Sequence, residues 1–155
     1  MKKLFILSLC FLLSLTCVRA SLPLTGKIII LDIGHGGDDP GTSYQNILEK
    51  DLNLAIGLEL EKELSRNGAS VILTREGDYD LSSPNAHRRK KSDFDNRIDL
   101  INKSKANVYL SIHINYLEDT SYHGGQIFYY GEESKKLAEF LQSEFNTISY
   151  PRSIK

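Results

Sequence analysis

The sequence predicts an α/β domain with a mostly parallel, mixed sheet flanked by helices, and three observations carry that reading. Ile28–Leu31 is an apolar run that stops at a Gly/Asp/Pro cluster, as a buried strand entering a loop does. Apolar residues then recur at helical spacing from Ile47 to Leu64, and a second apolar run follows at Ala69–Thr74. Strand, helix and strand within about fifty residues form a βαβ unit, whose strands run parallel.

The elements follow in order. Lys2 and Lys3 precede the uncharged, mostly apolar stretch Leu4–Val18, and Val18-Arg19-Ala20 resembles a small-residue cleavage site. Residues 1–20 therefore read as a secretory signal peptide. The fifteen residues Leu4–Val18 reach only about 22 Å as a helix, short of a ~30 Å hydrocarbon core. An uncleaved N-terminal membrane anchor is the alternative, because Arg19 is not ideal before a cut. Cys17 suggests a lipoprotein, but Thr16 before it fits that poorly. Cys10 and Cys17 both lie in this segment, so the mature part, 21–155, has no thiol and no Cys-based metal site.

The full chain has 155 residues, enough for one domain at most, with 41% hydrophobic and 25% charged residues as in ordinary globular proteins. Its net charge of −1 gives no electrostatic basis for nucleic-acid binding. Taking Lys2, Lys3 and Arg19 from the 19 basic residues leaves 16 against 20 acidic ones, a net charge of −4. The mature protein is expected to be secreted, cysteine-free and mildly acidic.

After a polar lead-in, Lys27–Asp32 is the first strand and Ile33–Gln45 its loop. The helix from Ile47 carries Leu48, Leu52, Ala55, Ile56, Leu58, Leu60 and Leu64, and Asn67-Gly68 ends it with a pair suited to left-handed backbone. Ala69–Thr74 is the second strand, and the polar stretch Arg75–Lys91, with its basic run Arg88–Lys91, reads as a long functional loop. A shorter helix is expected at Phe94–Ser104, a third strand at Asn107–Ile114 and a fourth at Gln126–Tyr130. Glu132–Asn146 reads as an amphipathic helix through Leu137, Phe140, Leu141 and Phe145, and Thr147–Lys155 as a polar tail.

Three residues with metal-ligand chemistry fall at element ends: His35 after strand one, Glu49 at the start of the first helix and His113 near the end of strand three. In a parallel sheet these ends share one edge. Two imidazoles and one carboxylate are the protein ligands of a catalytic zinc that keeps a position for water. Spacing alone leaves alternatives open. Glu49 also suits the first turn of a helix for its macrodipole, and His113 on an apolar strand suits a satisfied core histidine. His35 is harder to explain by folding, since a Gly-rich loop needs no imidazole. That loop has neither the G-x-G-x-x-G spacing nor a Lys-Ser/Thr ending, so phosphate binding is not indicated.

LDIGHGGDDPGT, ILEKDLNLAIGLELEKEL, VILTREGDYDL and KANVYLSIHIN, in that order, resemble the zinc-dependent N-acetylmuramoyl-L-alanine amidases of the Amidase_3 family. Leu48-Glu49-Lys50-Asp51 and the FYYG at Phe128–Gly131 resemble its sporulation-type members more closely. The similar segments run from Lys27 to about Asn146. The resemblance implies Zn²⁺ held by His35, Glu49 and His113, and peptidoglycan as the substrate, cut between muramic acid and the L-alanine of the stem peptide. It also implies an extracytoplasmic, cell-wall location and, for sporulation-type members, work on spore-cortex precursor with a partner deacetylase towards muramic lactam. A zinc carboxypeptidase-like or other α/β hydrolase fits the motif order less well.

The family's catalytic Glu is expected on a late strand beyond Lys155, since Glu132, Glu133, Glu139 and Glu144 lie in or beside an earlier helix. On this reading 21–155 is the N-terminal and central part of the catalytic domain, with a non-catalytic zinc- or peptidoglycan-binding remnant as the alternative. Without a general base a loss of about 10²–10⁴-fold is expected. Arg75 with Asp78 matches the family's TRxxD pattern, as a substrate contact or, preferably, a structural salt bridge. Asn115 contacts substrate or ends the strand, and Asp32 is expected to orient a ligand imidazole. His87 and His123 are expected to be exposed, and Arg88–Lys91 to be a solvated loop or a contact for anionic polymer.

Overall fold

β1, Ile28–Ile33, is the axis of a three-stranded parallel sheet in the order β4-β1-β5, with β4 at Ser70–Leu73 and β5 at Val108–Ile112. The structure, a computed structural model, describes residues 21–155; the expected signal segment lies outside them. Two compact units are present, one ending at Asn115 and the other Tyr116–Lys155. Among the described residues no helix is long and apolar enough to cross a membrane.

In the first unit β1 pairs on both sides, Ile28 with Ser70 through Leu31 with Leu73, and Ile29 with Val108 through Ile33 with Ile112. A strand covered on both faces reads as a near-continuous apolar run rather than an alternating one. Ile29, Ile30, Leu31 and Ile33 are accordingly buried. The carboxyl ends of the parallel strands share one edge, and the loop from Gly34 leaves from it.

α1, Glu49–Arg66, begins two residues later than the apolar period suggests. Ile47–Leu48 (β3) instead pairs antiparallel with Ser43–Tyr44 (β2) around Gln45 and Asn46, both at positive φ. That pair of left-handed residues is the turn a two-residue hairpin requires. The stripe α1 buries is Glu49, Asn53 and Gly57, one residue every four, while Leu52 and Ile56 are exposed. Gly57 permits the close approach: a Cβ there would lie 2.6 Å from Ile33 Cδ1. The helix thus packs a small and polar stripe, and its leucines at 54, 58, 60 and 64 are only half-buried.

α2 spans Arg89–Ser104, longer than the expected 94–104, so most of the basic run opens a helix instead of lying in a loop. No acidic residue stands in its first turn. The unfavourable helix-end charge is offset by ion pairs of Arg89 with Asp80 (2.7 Å) and Asp38 (3.2 Å) and of Lys90 with Asp39 (3.3 Å).

In the second unit α3, Glu132–Ile148, is the expected helix. Gln126–Tyr130 does not form the expected fourth strand of the sheet. Its backbone bonds instead to the chain's own tail, Tyr129 N–H to Lys155 O (2.9 Å) and Lys155 N–H to Ile127 O (3.0 Å). One residue cannot supply a ladder, and Gln142 of α3 bonds the segment at Ile127 N–H and Gly125 O.

Candidate metal centre

His35, Glu49 and His113 each place one donor atom in a cluster whose atoms all lie within 4.8 Å of one another. Three different elements deliver them. His35 is the second residue after β1, Glu49 opens α1, and His113 immediately follows β5. Glu49 Oε1 is the hub, 3.2 Å from His35 Nε2 and 3.0 Å from His113 Nδ1. The two rings meet edge to face with centroids 4.9 Å apart.

Glu49 is fixed by the loop before it. Its own N–H and that of Lys50, two of the orphan donors at a helix start, bond Thr42 O (2.9 Å) and Pro40 O (3.1 Å). Thr42 N–H and hydroxyl donate to Oε2 at 2.9 and 3.0 Å, and Ile114 N–H donates to Oε1 at 3.0 Å. Burial alone would raise the Glu49 pKa, but these donors and His113 outweigh it and hold the carboxyl at about 2. Glu49 is therefore ionised throughout the physiological range.

Glycines leave the room. A Cβ on Gly41, whose φ is +67°, would stand 2.6 Å from both Glu49 Oε2 and His35 Cδ2. One on Gly34 would stand 2.4 Å from His113 Cε1. His35 itself has φ +62°, a left-handed conformation that costs a non-Gly residue about 1–2 kcal/mol. Arg97 holds it there by donating to His35 O (2.9 Å) and Ile33 O (2.9 Å).

The donor set fits zinc. About 2.0–2.1 Å per bond at tetrahedral angles puts ligand atoms about 3.3 Å apart, against 3.0 and 3.2 Å from the Glu49 hub. The chemistry points the same way: an ionised oxygen facing two ring nitrogens is an arrangement that a cation or protons must balance.

The remaining expectations fare differently. Asp32 contacts neither imidazole, which corrects its expected role as a ligand orienter. It accepts from Arg97 (2.6 Å), Tyr109 (3.0 Å) and Ser111 (2.9 Å), the last its register partner on β5. Burial raises the Asp32 pKa, yet the Arg97 charge and these hydrogen bonds bring it below the ordinary value. Arg75 forms no ion pair with Asp78. It is 1% exposed and donates to the carbonyls of Ile33, Gly34, Lys50 and Gly77. Asp78 instead takes Lys50 (2.8 Å) and Gly37 N–H (2.8 Å), strapping the 75–80 loop to the histidine loop. Asn115, His87 and His123 are exposed.

Sequence reasoning missed Asp39, 3.0 Å from His35 Nδ1, and Arg97 and Asn53 behind the site. Asn53 donates to Gly34 O at 3.1 Å. The available signal was the four-residue spacing from His35 to Asp39 within one Gly-rich loop. Burial raises the Asp39 pKa, but the hydrogen bonds from His35, Gly41 N–H and Lys90 hold it at about 2.

The chain is similar to known proteins along most of its length. The model of the Amidase_3 family, described as N-acetylmuramoyl-L-alanine amidase, matches residues 29–151. The germination-specific N-acetylmuramoyl-L-alanine amidase of Bacillus subtilis is 45% identical over 129 residues, covering 80% of this chain and 54% of that protein. The probable cell wall amidase LytH of Staphylococcus aureus is 35% identical over 125 residues, 78% of this chain and 37% of its own length. The chain thus spans about half, or less, of these curated relatives. Among solved structures, the CwlD amidase from Clostridioides difficile, in complex with the GerS lipoprotein, superposes with TM-score 0.77 at 38% identity, covering 83% of this chain and 71% of that one. The catalytic domain of CwlV, an N-acetylmuramoyl-L-alanine amidase from Bacillus (Paenibacillus) polymyxa, superposes with TM-score 0.67 at 30% identity over 83% of this chain and 68% of its own. With a matched family model over most of its length and an α/β fold shared with these domains, the chain belongs to the Amidase_3 family of N-acetylmuramoyl-L-alanine amidases.

Proposed function

We propose that this chain contributes the metal centre of a zinc-dependent peptidoglycan amidase, cutting the amide between N-acetylmuramic acid and the L-alanine of the stem peptide. The work is extracytoplasmic, in cell-wall or spore-cortex remodelling, as the germination-specific and cell-wall relatives suggest. The observation that carries the proposal is the convergence of His35, Glu49 and His113 on one point at the carboxyl edge of a parallel sheet. His35 Nε2, Glu49 Oε1 and His113 Nδ1 would hold the ion. Zinc in such a site supplies an acidified water near neutral pH and polarises a carbonyl oxygen.

The chain's own residues prepare that site. Glu49 arrives already ionised, so no proton has to leave it when a cation binds. Thr42 and Ile114 keep its two oxygens apart in role, one facing the rings and one tied to the loop. His113, with 48% of its side chain exposed, lies on the open side, where a substrate amide can approach. Moving the attacking water's proton requires a base, the role that the family resemblance gives to a Glu on a later strand.

The test is stem-peptide release from purified peptidoglycan, with zinc, by this chain and by a longer form carrying that Glu. Release by the longer form, at least about 100-fold faster than by this chain, is the expected result. Zinc binding with no release from either form would replace the amidase reading with that of a non-catalytic binding module.

A further inference from the structure

Of the three aspartates nearest His35 in sequence, Asp32 pairs with Arg97 and Asp38 with Arg89, and Asp39 reaches the imidazole. Asp39 Oδ2 lies 3.0 Å from His35 Nδ1, on the side of the imidazole away from Nε2, which faces Glu49 Oε1 at 3.2 Å. Asp39 is held from several directions. Its N–H and C=O exchange hydrogen bonds with Gly36 (3.1 and 3.0 Å), and its Oδ1 accepts Gly41 N–H at 3.2 Å. Lys90 Nζ, from the first turn of α2, stands 3.3 Å from Oδ2.

Both Asp39 oxygens already act as acceptors, Oδ1 from Gly41 N–H and Oδ2 towards the Lys90 ammonium, so the hydrogen between Oδ2 and His35 belongs to Nδ1. That choice leaves Nε2 with its lone pair directed at the cluster, and it fixes the ring plane. Ligating histidines that donate the other ring N–H to a carboxylate gain both orientation and basicity. His113 is built differently: it presents Nδ1 to Glu49 Oε1, and Gly34 packs against its Cε1–Nε2 edge.

We propose that Asp39 is the positioning residue for His35, fixing its ring and tautomer so that Nε2 is the metal-binding atom, with Lys90 steadying Asp39. The inference rests on the metal reading of the His35–Glu49–His113 cluster and adds to it a residue acting through a ligand.

The experiment is nitrogen-15 NMR of the histidine rings in the zinc-loaded chain, together with zinc affinity by competition with a chromophoric chelator. The wild type should show His35 metallated at Nε2, with a slowly exchanging Nδ1–H. Asp39→Ala should expose that proton to fast exchange and weaken zinc about 10–100-fold, with the His113 ring signals unmoved. Asp39→Asn keeps an acceptor oxygen and should recover part of the loss, and Lys90→Ala should cost less than either. Metal on His35 Nδ1 in the wild type would overturn the inference without any variant, so a poorly folded Asp39→Ala cannot shelter it. An unchanged Nδ1–H exchange rate in folded Asp39→Ala would overturn it as well. Failure of the underlying metal reading looks different: zinc binding would then be indifferent to His35→Ala and Glu49→Ala.

Discussion

The two compact units differ in how they treat charged and large apolar side chains. In residues 21–115, charged groups are inside: Asp32, Glu49, Arg75 and Arg97 are all buried and hydrogen-bonded. In Tyr116–Lys155 large apolar groups are outside, with Phe128, Phe140, Tyr130 and Ile148 exposed and only Ala138 and Gln142 buried on α3. Buried charges require paired partners, because an uncompensated one costs several kcal/mol. Exposed apolar side chains impose no such demand. Structure in the first unit is therefore specified by a polar network, and the site is part of that network. In the second, single side chains specify little.

The most damaging way to probe this contrast is to break the buried Arg97–Asp32 pair. Arg97→Ala leaves Asp32 buried with its main cation gone and frees the left-handed His35 backbone. A loss of about 3–5 kcal/mol is expected in urea unfolding. Adding one methyl at Gly34 should come next. Gly34→Ala puts a Cβ 2.4 Å from His113 Cε1 and 2.7 Å from Ile112 O, so about 1–3 kcal/mol of stability should be lost.

Acid pH probes the same network more gently. The folded Asp32 carboxyl titrates below its ordinary 3.8, so its contribution is fully present above that value and is lost as pH falls through the lower folded pKa. Unfolding free energies measured from pH 6 down to 2 should show the wild type's advantage over Asp32→Asn shrinking only below about pH 4. The smallest effects belong to the second unit. Phe140→Ser and Tyr130→Ser should each stay within about 0.5 kcal/mol of wild type. Large losses there, with small ones at Arg97, would reverse the comparison.

What could be read from sequence follows from where repetition exists. β1 is a continuous apolar run and α1 and β5 carry apolar patterns, so their approximate ends, and with them His35, Glu49 and His113, could be located from the sequence. The orienting carboxylate could not. Asp32 lies three residues before His35 and Asp39 four after it, and the choice between them is made by a left-handed residue and the Gly36–Asp39 turn, inside a loop with no period. The first turn of α2 was hidden because Arg89 and Lys90 oppose the helix dipole, and the offsetting Asp38, Asp39 and Asp80 come from other loops. At Gln126–Tyr130 aromatic β-propensity suggested a strand, but a strand needs a ladder, and this backbone bonds to Lys155 and to the Gln142 side chain rather than to a neighbouring strand. The buried stripe of α1 was missed for a similar reason. Glu49, Asn53 and Gly57 carry no apolar signal, although their spacing is helical.

The measurement that bears most directly on the site is an equilibrium zinc titration of the purified, folded chain against a chromophoric chelator. A single zinc per chain is expected, with binding lost in His35→Ala and His113→Ala and sharply weakened in Glu49→Ala. Substoichiometric zinc in the wild type, left unchanged by those substitutions in folded protein, would contradict the three-ligand centre.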